Sequence, residues 1–151
     1  MDAYKTPASD LHVEGEIEYR PLAGLLIGLC FAVLLTSLTS TILCIAFGVL
    51  LGADLSSENF VIELASNNFY LLTDIAISAI VVFYAGRAIG KRTHGKEIKF
   101  GAILAIITLA ISLLLSIYTD AFSIFPAWYN ALATISIIIL IPFGAKSVAN
   151  T

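Results

Sequence analysis

Residues 84–101 read YAGRAIGKRTHGKEIKFG, and the five basic side chains crowded into them, Arg87, Lys91, Arg92, Lys96 and Lys99, decide the fold. Apolar runs flank this stretch on both sides, at 69–87 and 100–118, so it reads as a short connection between two apolar helices. Outward from it the pattern repeats. Two further apolar runs occupy 22–52 and 128–145, and the remaining basic residues are Lys5 and Arg20 ahead of the first run and Lys146 after the last. The other two connections, near 53–60 and 119–127, contain no Lys or Arg. Short connections rich in Lys and Arg stay on the cytoplasmic side of a membrane, because moving them across it is costly. The expected architecture is therefore all-α: an integral membrane four-helix bundle with both termini cytoplasmic.

Composition agrees with that expectation. The chain has 151 residues, 59% hydrophobic and 13% charged, against roughly 25% charged in a soluble domain. A hydrocarbon core of about 30 Å takes about 20 helical residues per crossing, and four crossings use most of the chain. The spacing predicts a flexible cytoplasmic tail over 1–20 and one helical domain over 21–148, with helices at about 21–52, 57–90, 97–118 and 127–147. The tail's net acidic balance and the length of the first run set it apart from a signal peptide. Pro21 suits a helix start, whereas Pro142 is expected to kink or fray the last turns.

Charge is segregated. On the cytoplasmic side eight basic residues face six acids, whereas the other side holds Asp54, Glu58, Glu63, Asp74 and Asp120 with no basic partner. The basic cluster is short, abuts a membrane segment and lacks interleaved aromatics, which excludes nucleic acid as an expected partner. Tyr118, Phe122, Phe125, Trp128 and Tyr129 bracket the acidic end of the last two helices as an interfacial belt.

Two constellations stand out within the helices. Gly24, Gly28, Cys30, Ser37, Thr41, Cys44 and Gly48 mark a seam of small residues along the first helix, the kind of surface through which membrane helices pack closely. Gly101, Ala105, Thr108, Ser112 and Ser116 form a matching line on the third helix, its expected partner. The second constellation is polar. Glu63, Asn67, Tyr70 and Asp74 fall at i, i+4, i+7 and i+11 on one face of the second helix. Asp74 is the only acid well inside an apolar run, so it must face protein, water or a partner, or be protonated. Asp120, Tyr129 and Asn130 are candidates to join it in a proton- or cation-responsive site; a plain polar contact between the second and fourth helices is the alternative.

No nucleophile–base pair, paired intramembrane acids, metal-ligand spacing or phosphate loop is present, so neither catalysis, cofactor nor metal is expected. Cys30 and Cys44 both lie inside the first helix and make no disulfide framework. The tail motif Tyr4-x-x-Pro7-x-Ser9-x-Leu11 resembles the opening of small four-helix bacterial inner-membrane proteins of no assigned activity, and the hairpin Tyr84–Gly101 is similar to theirs. That resemblance implies a bacterial inner (cytoplasmic) membrane and a multi-pass protein. The leading expectation is a non-enzymatic protein that works through another membrane component, as an accessory subunit or toxin-immunity protein, its partners being the bilayer and another membrane protein or a second copy. A minimal oligomeric ion or proton transporter using the Glu63–Asp74 face is the alternative.

Overall fold

The computed structural model describes residues 20–52, 55, 57 and 59–148. The tail with Tyr4, Pro7, Ser9 and Leu11 lies outside the described residues, as do Asp54 and Glu58. The described chain is helical, without strands, and four of its helices are long and apolar enough to cross a membrane. These are α1 (Pro21–Leu51), α3 (Asn68–Gly90), α4 (Glu97–Tyr118) and α6 (Ala127–Lys146); α2 (Phe60–Ala65) and α5 (Ala121–Ile124) are short.

Helix α1 begins with Pro21 in its first turn and ends at Gly52, whose φ of 66° closes the helix in the left-handed region that glycine enters without strain. Its 31 residues span about 46 Å. Between Phe31 and Leu35 the helix widens into a π turn. The expected helix over 57–90 is two helices. Ser66 and Asn67 interrupt it, because the Asn67 side chain turns back to accept the backbone N–H groups of Phe69 and Tyr70 at 3.0 and 3.1 Å and so starts α3 afresh. Helix α6 runs on past Pro142 to Lys146. The carbonyl that proline leaves unpaired belongs to Ile138, on the exposed side of the helix.

Helices α1 and α6 each pack against both α3 and α4, and the tightest contact is that of α3 with α6. It lies at the basic end. A Cβ on Gly86 would collide with the Ile141 carbonyl oxygen, and one on Gly144 with that of Phe83, so the two backbones touch without intervening side chains. Val82, Ile89, Leu104, Ala105, Ile141 and Ala145 fill the core there. Gly101 of α4 meets Pro142 and Ala145 of α6, so the small-residue line of α4 starts against α6 and not, as expected, against α1. At the opposite end a second cluster, Phe60, Leu64, Tyr70 and Leu71, is packed by Phe47, Phe125 and Tyr129. Large apolar side chains such as Leu26, Leu50, Ile106 and Ile117 cover the outside.

The seam of α1 is displaced from its expected line. Gly24, Gly28 and Gly48 are buried, but Cys30, Ser37 and Thr41 are exposed, and the inward positions are Gly24, Gly28, Ala32, Thr36, Ser40, Cys44 and Gly48. Every step is four residues. In a regular α-helix each such step overshoots a full turn by about 40°, smearing seven positions over about two thirds of the circumference. The π turn removes one residue's rotation, roughly 100°, and brings both halves of the line back to the same side.

Candidate functional site

The helices separate toward the end away from the basic loop, and a cavity of about 190 Å³ opens between all four long helices. Each contributes polar groups at helical spacing: Thr36 and Ser40 from α1, Asp74 and Ser78 from α3, Thr108, Ser112 and Ser116 from α4, and Tyr129, Asn130 and Thr134 from α6. Along α4 the lining descends eight residues from Ser116 to Thr108, about 12 Å. One turn further on, Leu104 and Ile141 are fully buried in the apolar core, so the cavity is blind. Leu113 and Phe122 line it while remaining exposed, which connects it to the surface.

Asp74 is 4% exposed and, among the described residues, is the only acid lining the cavity. Its Oδ1 accepts the Ser40 hydroxyl at 2.6 Å, and its Oδ2 accepts the Tyr129 hydroxyl at 2.5 Å. One carboxyl group thus joins α1, α3 and α6. Tyr129 is held in turn by stacking on Phe125, with ring centroids 5.1 Å apart, and Asn130 donates to the carbonyls of Phe125 and Pro126 at 3.2 and 3.4 Å.

Deeper in the cavity the hydroxyls are less well served. Thr108 is 1% exposed, and neither its Oγ1 nor that of Thr36 has a hydrogen-bond partner. Buried hydroxyls are rarely left so. On a helix a threonine usually finds a carbonyl one turn back, as Thr39, Thr41, Thr73, Thr93 and Thr119 all do here. Thr36 and Thr108 stand in the cavity wall without such a bond.

The structure brings together only part of the polar constellation expected on the second helix. Asp74, Tyr129 and Asn130 meet in the cavity. Glu63 is exposed on α2, and the break at Ser66–Asn67 takes it off the face that carries Asp74. Asn67 is spent as the cap of α3, and Tyr70 is buried in the neighbouring apolar cluster. Asp120, exposed at the start of α5, accepts the Ser123 hydroxyl at 2.5 Å and has no part in the cavity. The residues that the sequence did not single out for this site are the hydroxyls of Thr36, Ser40, Ser78 and Thr134. For Thr36 and Ser40 the signal is the four-residue spacing of hydroxyls that Thr108, Ser112 and Ser116 also show, while Ser78 and Thr134 stand four residues after Asp74 and Asn130.

Among the described residues no group of His, Cys, Asp and Glu is placed to hold a metal ion. No family model matches the chain, and comparisons with curated proteins and with solved structures find no significant match.

Proposed function

We propose that the chain is a multi-pass protein of a bacterial cytoplasmic membrane, with both termini and the Lys91–Lys99 loop in the cytoplasm, and that it acts by binding and not by catalysis. It receives part of another membrane component in the cavity, in the manner of an accessory subunit or an immunity protein. The observation that carries this reading is the blind cavity lined by all four long helices, with the Thr108 hydroxyl buried and unpartnered in its wall. A pocket with apolar walls and a few convergent polar groups is the usual form of a binding site.

Transport is the competing reading, and Asp74 in a cavity is its support. Against it, the carboxylate is occupied by Ser40 and Tyr129, and the Leu104–Ile141 core blocks the way to the basic end. A single chain passes nothing without taking that core apart.

The test uses Ser112→Cys, in the cavity wall, with Cys30 and Cys44 replaced by Ala, and a small membrane-impermeant thiol reagent. Reaction is expected in intact cells, where the reagent meets only the outer face. Reaction only in inverted vesicles would overturn the orientation; reaction from both faces would show a through path and favour the transporter.

A further inference from the structure

We infer that the guest of this cavity is a primary ammonium on a short alkyl stem, the chemistry shared by a lysine side chain of a membrane partner and a free alkylamine. The inference rests on the binding reading above and names what that site takes.

Charge is the first ground. Asp74 is buried, and among the described residues no Lys, Arg or His lines the cavity with it. A carboxylate taken out of water is costly unless a cation accompanies it, and Ser40 and Tyr129 supply hydrogen bonds without supplying positive charge. An ionised carboxylate has about four acceptor positions, of which the two hydroxyls use one on each oxygen. Acceptor capacity for a cation remains.

Shape and lining narrow the class. An ammonium carries three N–H donors and no acceptor, which suits a lining that carries the Asp74 carboxyl group and the hydroxyl residues Ser40, Ser78, Ser112 and Thr134. A calcium ion takes about six to eight oxygen ligands, carboxylates prominent among them, and among the described residues the cavity lining has one carboxylate. The volume of about 190 Å³ is below that of pockets for drug-sized molecules, roughly 300 Å³ and above, yet far exceeds a bare alkali ion. Ile75, Val82, Leu109, Leu113 and Ile137 supply apolar wall for a stem of a few methylenes. The exposed edge at Leu113 and Phe122 is the way in.

The experiment measures thermal unfolding of the purified full chain in detergent micelles during titration with n-butylammonium chloride, which has the stem and head of a lysine side chain. Sodium chloride and n-butanol are the controls, and Asp74→Asn and Ser112→Phe the variants. A saturable rise in Tm is expected with n-butylammonium and with neither control. Losing a hydrogen bond to a charged group should weaken binding by about tenfold or more in Asp74→Asn, and the bulk of Ser112→Phe should abolish it while leaving Asp74 in place. If Asp74→Asn does not fold, Ser112→Phe alone decides whether the rise comes from the cavity.

Equal saturable shifts from n-butanol and n-butylammonium, retained in Asp74→Asn, would overturn the ammonium inference and leave the binding reading standing. No saturable shift from either compound would overturn both. The two sources are told apart by an apolar helical peptide with a single central Lys, set against the same peptide with norleucine. Capture of the Lys peptide alone, competed by n-butylammonium, identifies a partner's side chain; no capture alongside a positive titration identifies the free amine.

Discussion

Removing the Asp74 carboxylate should reverse the sign of a second substitution. In the native chain the Tyr129 hydroxyl donates to Oδ2 at 2.5 Å and the Ser40 hydroxyl to Oδ1 at 2.6 Å, both partly buried. Leaving a buried hydroxyl unpaired costs about 1–3 kcal/mol, while measured couplings between polar side chains of membrane helices average ~0.6 and reach ~1.7 kcal/mol. The two bonds here go to a carboxylate, which puts them at the upper end, so Asp74→Leu should cost about 2–4 kcal/mol. Ser40 can turn to a carbonyl of its own helix. Tyr129, too long to reach one, keeps an orphaned hydroxyl. Tyr129→Phe should therefore cost about 1–2 kcal/mol in the native background, yet be neutral or stabilising in Asp74→Leu, where it removes that orphan. Asp74→Asn, which retains one acceptor oxygen, should fall between native and Leu. Reversible unfolding of the four proteins in mixed detergent–SDS micelles measures the cycle. An equal cost for Tyr129→Phe in both backgrounds would show that the short contact carries no coupling energy, and the three-helix role of Asp74 would fall.

Gly86→Ala and Gly144→Ala should each cost several kcal/mol or prevent folding, since the added methyl meets a backbone carbonyl that cannot move aside; Gly95→Ala, in open space at φ 75°, should cost only about 1–2 kcal/mol in the same unfolding assay, for its left-handed backbone. Asn67→Ala should cost about 1 kcal/mol through the lost cap, with increased hydrogen exchange confined to the first turn of α3; exchange unchanged at Phe69 and Tyr70 would contradict the cap.

Much of the fold is legible because the signals involved are local or additive. Four apolar runs and the clustering of Lys and Arg need no knowledge of packing, and the extents of α1, α4 and α6 follow them closely. Asp74 was conspicuous as a lone acid in an apolar run. The break before α3 does not show in the helical spacing, because Glu63, Asn67, Tyr70 and Asp74 keep one face straight through it, although Ser66-Asn67-Asn68 is a capping sequence in its own right. The face of α1 was misassigned for a different reason: a π turn has no residue signature, so a three-four spacing drawn through it put Cys30, Ser37 and Thr41 on the wrong side. The hydroxyl wall was hardest to see. Thr36–Ser40 on one helix looks like ordinary packing until three other helices bring Asp74, Thr108 and Thr134 to the same space.

The widened turn at Phe31–Leu35 also divides α1 into two rods with separate rotational settings. The rod toward the basic end is locked by Gly24 and Gly28 against Ile89, Arg92 and Leu104, whereas the other rod holds Ser40 to Asp74. A helix stores one spare residue in such a turn, and moving it along the chain needs only that successive hydrogen bonds change partners, with no change of length at either end. Each residue it passes would be swung by about 100°. Were the spare residue to travel from Leu35 past Ser40, only the residues passed would turn, Gly28 staying against Leu104 and Gly48 under Phe60, and Ser40 would leave the carboxylate. The cavity would then gain a free acceptor without any helix having to slide, tilt or part from its neighbours.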